Sequence, residues 1–241
     1  TIHFTDATVS SKIFFRHHAG GAGERFLPEH MGAGLCSFDA DNDGLIDVYL
    51  LNGASLLGAD IDPPPSNQFF RNVGNFQFQD FTIPSGLKDH SYSLGVTAAD
   101  FDNDGFQDLY VSNFGKKCLF KNNGDGTFED VTQIAGVADG DKFGAGVTFL
   151  DVDDDGLLDL FVGNYVNFSF ERHRQLAPSA HPYSPGPKDY APTSDTLFKN
   201  NGDGTFSDIS LQSAISSVAG PSMGVVAGDF DFDQDCDIFV A

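Results

Sequence analysis

The feature that most constrains this chain is a nine-residue aspartate motif that returns along its length. The pattern Asp-x-Asp-x-Asp-Gly-x-x-Asp occurs at 39–47 (DADNDGLID), 100–108 (DFDNDGFQD) and 151–159 (DVDDDGLLD). A fourth copy at 229–237 (DFDFDQDCD) keeps every aspartate but has Gln234 in place of the glycine. Self-similarity of this kind indicates a repeat architecture in which each copy belongs to one structural unit.

The segments around each motif repeat as well. A glycine-rich apolar run precedes each motif (MGAGLCSF, SLGVTAA, FGAGVTFL, SMGVVAG), and a β-rich run follows it (VYLLN, LYVSN, LFVGN, IFVA). A third element, at 69–78, 119–128 and 197–206, places an Asn/Asp/Gly turn between two strand-like runs, which is a strong signal of a β-hairpin. The sequence of each unit therefore predicts four short antiparallel strands, which is the number in one β-propeller blade.

The repeats predict an all-β chain in which 1–241 form a single β-propeller segment. The predicted blades are at about 32–82, 95–132 and 144–210, with a half-blade at 223–241. Residues 3–8 (HFTDAT) match the fourth strand of a preceding blade, and the proline-rich insertions 53–66 and 166–194 predict loops that project from one face of the array. Because a half-blade leaves an unpaired edge, we expect that more blades follow in the natural protein or that a neighbouring chain completes this one, and we favour the first.

The composition supports a folded, acidic protein. With 35 acidic and 13 basic residues the formal charge is −22, so a nucleic-acid partner is excluded. The 25 phenylalanines and a hydrophobic content of 40% allow a real core and exclude intrinsic disorder. No stretch approaches the roughly 18 consecutive apolar residues of a membrane span.

The spacing of the aspartates predicts that positions 1, 3, 5 and 9 of each motif point at one centre. Two carboxylates ~4 Å apart repel by roughly 4 kcal/mol at an effective dielectric of 20, so four of them need a cation. Hard oxygen ligands favour calcium, and magnesium is the weaker alternative. The calcium loop of helix–loop–helix proteins is excluded because it needs a glutamate at position 12. That position holds an apolar residue in every copy: Leu50, Val111, Val162 and Val240.

The predicted metal ligands are the four aspartate side chains of each motif: Asp39, Asp41, Asp43 and Asp47; Asp100, Asp102, Asp104 and Asp108; Asp151, Asp153, Asp155 and Asp159; Asp229, Asp231, Asp233 and Asp237. A backbone carbonyl at position 7 is predicted to add one ligand to each loop, from Leu45, Phe106, Leu157 and Asp235. Glycine at position 6 allows the sharp turn, so Gln234 makes the fourth loop depart from the pattern. The segments 122–128 and 200–206 (NNGDGTF) are interpreted as hairpin turns with Asn and Gly at positive φ, without metal.

Two groups of segments resemble known families. The phrases FGAGVTFLDVDDDGLLDLFVGN and LFKNNGDGTFEDVTQIAGV resemble FG-GAP/VCBS repeats, which build integrin-α-like β-propellers. HFTDAT, followed by EHMGAGLCSFDADNDGLIDVYLLNG, is similar to the N-terminal propeller of the cartilage acidic protein family of ASPIC/UnbV type. The resemblance implies a secreted calcium-binding propeller, often of about seven blades. It also implies that calcium lies between the first two strands of a blade, on the face away from the usual ligand surface.

The sequence gives little support for catalysis, and we predict that the chain is not an enzyme. It has no nucleophile-elbow motif, and no phosphate-binding glycine loop opens a helix. The histidines at 17, 18, 30, 173 and 181 are interpreted as ordinary surface or loop residues rather than as metal ligands. Cys36, Cys118 and Cys236 form no CxxC pair. Their odd number in a secreted protein suggests one free or intermolecular thiol.

These observations predict a secreted calcium-binding propeller module for extracellular recognition or adhesion. Its predicted partners are calcium ions and an extracellular protein or glycan whose identity the sequence does not specify, with no nucleic acid and no membrane span. The alternative is a self-assembling extracellular filament or matrix protein, in which 223–241 pairs with the 3–8 strand of a neighbour. Asn167-Phe168-Ser169 is one glycosylation sequon.

Overall fold

The computed structural model describes residues 3–176 and 184–241 and consists mainly of short antiparallel strands. Three sheets have four strands each, and we call them blades 1, 2 and 3; a two-stranded sheet near the C-terminus is the half-blade. Blade 1 contains β1 Leu35–Phe38, β2 Asp47–Leu50, β3 Gln68–Asn72 and β4 Phe78–Asp80. Blade 2 contains β5 Tyr92–Ala99, β6 Asp108–Phe114, β7 Cys118–Asn122 and β8 Phe128–Asp130. Blade 3 contains β9 Gly144–Leu150, β10 Asp159–Asn164, β12 Thr196–Asn200 and β13 Phe206–Asp208.

The remaining elements are short. The half-blade contains β15 Val225–Gly228 and β16 Asp237–Val240, and the two-residue strands β11 Thr193–Ser194 and β14 Ala219–Gly220 pair with each other. The helices are α1 Thr8–Ser11, α2 Thr82–Ser85, α3 Thr132–Ala135 and α4 Phe170–Leu176, with 3₁₀ turns at Leu27–His30, Pro187–Asp189 and Ile215–Ser217. In the described ranges, none of these helices has the length and apolarity needed to cross a membrane. The all-β fold class and the propeller-type blades are confirmed.

The hydrophobic core lies between neighbouring blades rather than inside one of them. Between blades 1 and 2, Phe38, Phe69 and Phe128 are almost fully buried, and their ring centroids lie 6.0–6.2 Å apart. Between blades 2 and 3, Phe101 and Phe206 pack with ring centroids 5.6 Å apart. The abundant phenylalanines therefore stabilise the stacking of blades, so no blade is an independent folding unit.

One glycine on the first strand of each blade, or directly before it, sets how closely the next blade approaches. A Cβ atom built on Gly95 would lie 2.0 Å from the carbonyl oxygen of Ala145 on the next first strand. The equivalent Cβ on Gly34 would lie 2.9 Å from Leu94 O, and that on Gly146 would lie 2.7 Å from Met223 O. The glycine-rich runs before the motifs are thus explained by close packing of the backbones of neighbouring first strands.

Two sequence predictions at the edges of the blades were wrong. In the described part of the chain, residues 3–7 pair with no strand, and Thr8–Ser11 form the helical turn α1. The insertion 166–194 is not all loop, because it contains α4, which begins where the Ser169 hydroxyl accepts a hydrogen bond from the Arg172 N–H at 3.1 Å. Residues 177–183 of that insertion lie outside the described residues.

The two ends of the blades differ in what they carry. The aspartate loops join the first strand to the second at one end, and the antiparallel pairing places the connections from the second strand to the third at the other end. At that second end, Phe26 packs against Phe168 and Phe170, with ring centroids 6.4 and 4.8 Å away. The segment before blade 1 and the long insertion of blade 3 therefore form one aromatic layer across this end. We call it the aromatic cap.

Candidate metal centres

Each aspartate loop is held in a tight turn by its own carboxylates. In the second loop, the carboxylate of Asp100 accepts hydrogen bonds from the N–H groups of Asp104 at 3.0 Å and Gly105 at 2.8 Å. Gly105 has a φ of 93°, a left-handed conformation that glycine adopts at little cost. Asp39 and Asp151 make the equivalent pairs of bonds at 2.8–3.1 Å. The motif thus gives the same turn in all three blades.

Carboxylates from three aspartates of each loop lie close together, because one oxygen of each lies within 4.8 Å of the others. The groups are Asp39, Asp41 and Asp43; Asp100, Asp102 and Asp108; Asp151, Asp153 and Asp159; Asp229, Asp231 and Asp237. The fourth predicted carboxylate of each loop is not part of its group: Asp47, Asp104, Asp155 and Asp233. Within the described ranges, each group consists of aspartates alone, and such oxygen donors suit Ca²⁺ or Mg²⁺.

The aspartate at position 9 also ties its loop to the third strand of the blade. Asp108 is fully buried, and its carboxylate accepts hydrogen bonds from the N–H groups of Phe101 at 3.1 Å and Asn122 at 2.8 Å. Burial raises the pKa of Asp108 to about 7 and that of Asp47 to about 6. The hydrogen bonds from the backbone N–H groups lower the pKa, because they stabilise the charged carboxylate, but burial has the larger effect. Burial likewise raises the pKa of Asp159, which makes the equivalent bonds. Position 9 therefore has a structural role that its spacing in the motif does not reveal.

Two loops contain buried carboxylate oxygens that lack a hydrogen-bond partner among the described residues. They are Oδ1 of Asp41 and Oδ1 of Asp102, at position 3 of the first and second loops. The side chain of Asp41 is only 7% exposed. A buried anionic oxygen without a partner is strongly unfavourable, and a cation coordinated by it removes that penalty. The residues present therefore fit a hard divalent cation held by the loop carboxylates.

A basic side chain from the third strand reaches each of the first three loops, which the sequence reasoning missed. Arg71 forms an ion pair with Asp41 in the first loop. Lys121 contacts Asp102 and lies 2.8 Å from Asp104 Oδ2 in the second loop. Lys199 contacts the equivalent pair in the third loop. The signal in the sequence is a basic residue at the same position of each hairpin, in FFRN, LFKN and LFKN.

The fourth loop keeps its carboxylate group but differs in its turn. Asp229 accepts from the N–H of Phe232 at 2.6 Å and of Gln234 at 3.2 Å, and both donors have positive φ. Asp237 accepts from the N–H of Phe230 at 3.0 Å, but it is only partly buried. This loop is therefore more exposed than the first three, consistent with a blade that has only two strands here.

Neighbouring loops are also hydrogen-bonded to each other. The side-chain amide of Asn42 donates to Gly105 O at 2.9 Å, and that of Asn103 donates to Gly156 O at 3.3 Å. The third-strand amide of Asn122 donates across the blade boundary to Ala40 O at 2.8 Å. The three loops thus form one connected row along the same end of the blades.

The NNGDGTF segments form hairpin turns, in a way that differs slightly from the prediction. Gly124 and Gly126 have φ values of 80°, as a turn of this kind needs. The asparagines are not at positive φ. The side chain of Asn122 instead accepts a hydrogen bond from the Gly124 N–H at 2.9 Å, and Asn123 N–H donates to Thr127 O at 2.9 Å. Asparagine therefore stabilises the turn as an acceptor.

His173 is a core residue, so its interpretation as a surface or loop histidine was wrong. It is 1% exposed in the aromatic cap, and its ring lies 5.1 Å from that of Phe26. Its Nδ1 atom and the Tyr190 hydroxyl are hydrogen-bonded at 2.7 Å. Spacing in the sequence could not place His173 in a core, because its neighbours come from two distant segments. His181 lies outside the described residues.

Comparison with known proteins identifies the repeats. A family model described as FG-GAP-like repeat matches residues 39–111, 100–162 and 180–240. Cartilage acidic protein 1 of Mus musculus is 28% identical over 214 residues, which are 86% of this chain and 29% of that protein. The Homo sapiens protein is 27% identical over the same share of this chain and 28% of its own length. The chain thus spans less than a third of the relatives that it matches.

A solved structure also aligns with most of the chain. It concerns recognition of non-reducing terminal N-acetylglucosamine by an Agrocybe aegerita lectin. The alignment covers 86% of this chain and 42% of that one, at 15% identity and a TM-score of 0.37. This similarity is too low to extend to a ligand.

Proposed function

This chain belongs to the family of FG-GAP-like repeat proteins, and we propose that it is an extracellular β-propeller module whose aspartate loops bind calcium. The calcium is structural in this proposal. It neutralises the carboxylates of a loop and fixes the hairpin formed by the first two strands of the blade. The opposite end of the blades, which carries the aromatic cap and the insertions, is then presented for recognition or adhesion. The role is binding rather than catalysis.

The observation that carries the proposal is the buried oxygen at position 3. Asp41 Oδ1 and Asp102 Oδ1 are buried, belong to the carboxylate groups and have no hydrogen-bond partner among the described residues. Ordinary acidic turns on a surface leave such oxygens in water. Their repetition at one motif position in two blades supports a specific ion site.

Calcium suits these loops better than magnesium. Calcium takes 6–8 oxygen ligands in a flexible geometry, whereas magnesium keeps several of its waters and is seldom enclosed by a protein cage. In this proposal, the three carboxylates that lie together in each loop are the first ligands, and the fourth carboxylate of the motif, the backbone carbonyl at position 7 and water complete the shell. Four bound calcium ions would reduce the formal charge from −22 to about −14. Extracellular placement is supported by the similarity to cartilage acidic protein 1.

Thermal unfolding with calcium, with magnesium and with excess chelator tests this proposal. At a calcium concentration ten times its Kd, each occupied loop adds about 1.4 kcal/mol of stability, so the three loops that keep the glycine add about 4 kcal/mol. For a chain of this size we expect the midpoint to rise by about 8–16 °C. A melting curve that is the same in calcium and in chelator would contradict the proposal.

Size analysis of the same samples tests the alternative of self-assembly. The half-blade exposes Phe239 by 59% and Val226 by 51%, so a second chain could cover apolar surface there. Calcium-dependent stabilisation of a monomer supports the recognition module alone. Growth of the particle with chain concentration supports assembly through the half-blade.

A further inference from the structure

We propose that Arg71, Lys121 and Lys199 are internal counter-cations, which hold the aspartate loops together without metal and weaken their affinity for calcium. The proposal deepens the calcium function above and rests on it. Each of these side chains extends from the third strand of its own blade into the loop between the first and second strands. Each of them links the third strand to a carboxylate of a predicted metal site.

The contacts are the same in blades 2 and 3. Lys121 Nζ contacts Asp102 and donates to Asp104 Oδ2 at 2.8 Å. Lys199 Nζ contacts Asp153 and donates to Asp155 Oδ2 at 3.0 Å. Each ammonium therefore joins positions 3 and 5 of its loop, two of the four carboxylates that the motif offers to an ion.

The ammonium contacts oxygens of two predicted ligands, Asp102, which belongs to the carboxylate group, and Asp104, which does not. Asp104 Oδ1 already accepts a hydrogen bond from the N–H of Phe106 at 3.0 Å, which closes the turn. Its second oxygen, Oδ2, is the one that faces Lys121. A calcium ion that uses Oδ2 must displace Lys121 or remain close to it. Two like charges at such a distance repel, because the loop is partly shielded from water.

Both effects act in the same direction on affinity. The lysine stabilises the loop before calcium enters, and it repels calcium after entry. A neutral side chain should therefore destabilise the metal-free loop and tighten calcium binding. A residue that only positioned the carboxylates would do the reverse on its removal, since the ligands would lose their orientation and bind calcium more weakly. The sign of the change in affinity separates these two roles.

The experiment is a calcium titration followed by NMR of the backbone amides, on the full chain. Gly44, Gly105 and Gly156 report the first, second and third loops, because each is the position-6 residue whose N–H donates to the position-1 aspartate. In Lys121→Met, we expect the calcium concentration at the midpoint of the Gly105 amide titration to fall about tenfold, equivalent to about 1.4 kcal/mol. The midpoints of the first and third loops serve as controls within the same molecule.

Two further variants separate charge from packing. Lys121→Arg keeps the positive charge, as Arg71 does in the first loop, and should keep the midpoint near that of the unsubstituted chain. Lys116→Met removes a lysine whose side chain is 60% exposed and which pairs with Asp130 outside the loops, so it should leave all three midpoints unchanged. In excess chelator, Lys121→Met should melt at a lower temperature than Lys116→Met.

The outcomes are distinct. The counter-cation proposal is overturned if the Gly105 midpoint in Lys121→Met stays the same or moves to a higher calcium concentration. The calcium function itself would still stand in that case, because calcium binds. An equal shift in Lys116→Met overturns the counter-cation proposal too, since net charge alone would then explain the effect. If no amide of the unsubstituted chain responds to calcium, the proposed calcium function fails, and this inference fails with it.

Discussion

Asp102→Asn provides a direct test of one predicted ligand. Asp102 lies in the second loop, where its carboxylate belongs to a group with Asp100 and Asp108. One of its oxygens is buried without a hydrogen-bond partner among the described residues, and the other contacts Lys121. Asparagine has nearly the same shape but carries no charge, so the substitution removes electrostatics and one anionic ligand while it preserves packing.

The expected effect has opposite signs without and with calcium. Without metal, the substitution removes repulsion from two carboxylates and attraction to one ammonium. At the 4.8 Å limit on the carboxylate separations, each repulsion is worth at least about 3 kcal/mol at an effective dielectric of 20, and the attraction to the ammonium, which contacts Asp102 directly, is larger than either repulsion alone. The free energy of unfolding should therefore stay the same or rise, by at most about 3 kcal/mol. With calcium at ten times its Kd, the variant should lose the contribution of the second loop, about 1.4 kcal/mol of the stabilisation that calcium gives.

Urea unfolding in calcium and in excess chelator measures both quantities. Asp125→Asn is the matched control, because Asp125 is an exposed aspartate in a hairpin turn, where its Oδ1 accepts from the Thr127 N–H at 3.0 Å. Asparagine can also accept that bond, so only the charge changes. The reasoning is refuted if Asp102→Asn retains the whole calcium-dependent stabilisation. It is also refuted if Asp125→Asn loses as much of it.

Two more substitutions test the packing of the blades and a buried charge. Gly95→Ala places a methyl group 2.0 Å from Ala145 O and should lower the free energy of unfolding by about 3 kcal/mol or more, whereas Gly32→Ala meets no atom within 4 Å and should change it by less than about 0.5 kcal/mol. Equal stabilities of these two variants would contradict the close approach of the first strands. Lys117 is fully buried, and burial lowers its pKa to about 8. Because the unfolded chain then binds more protons than the folded chain between about pH 8 and pH 10, the stability of the unsubstituted chain should rise by up to about 3 kcal/mol relative to that of Lys117→Met across this interval. Parallel pH profiles in urea unfolding would contradict this assignment.

The regular part of the fold could be predicted because the sequence repeats it. The hairpin signal in LFKNNGDGTF gives strands β7 and β12 and their partners, since turn chemistry and alternation of apolar residues are local properties. The aspartate loops were located for the same reason. A motif of nine residues contains the bonds that fold it, as the contacts of Asp100 with Asp104 and Gly105 show.

The parts that were not predicted depend on residues far apart in the chain. Lys121 reaches Asp102 only because the third strand lies beside the second in the same sheet. The burial of His173 needs Phe26, which belongs to a different segment, to pack against its ring. The prediction of a strand at 3–8 was wrong because strand-like residues form no strand unless they pair with the edge of another strand. Local sequence pattern thus predicts turns and hairpins well, but it does not predict the long-range side-chain contacts that these elements make.

The contrast between the two ends of the blades gives a physical criterion for where the proposed partner would bind. At the loop end, the blades are similar, since each loop brings the carboxylates of three aspartates within 4.8 Å of one another. At the other end, the connections from the second to the third strand are 51–67, 115–117 and 165–195, which differ greatly in length and composition. A cation site restricts sequence in every blade, whereas recognition of a particular partner needs surfaces that differ from blade to blade. We therefore expect substitutions on the long connections to alter partner binding without changing the response to calcium, and substitutions in the loops to change both.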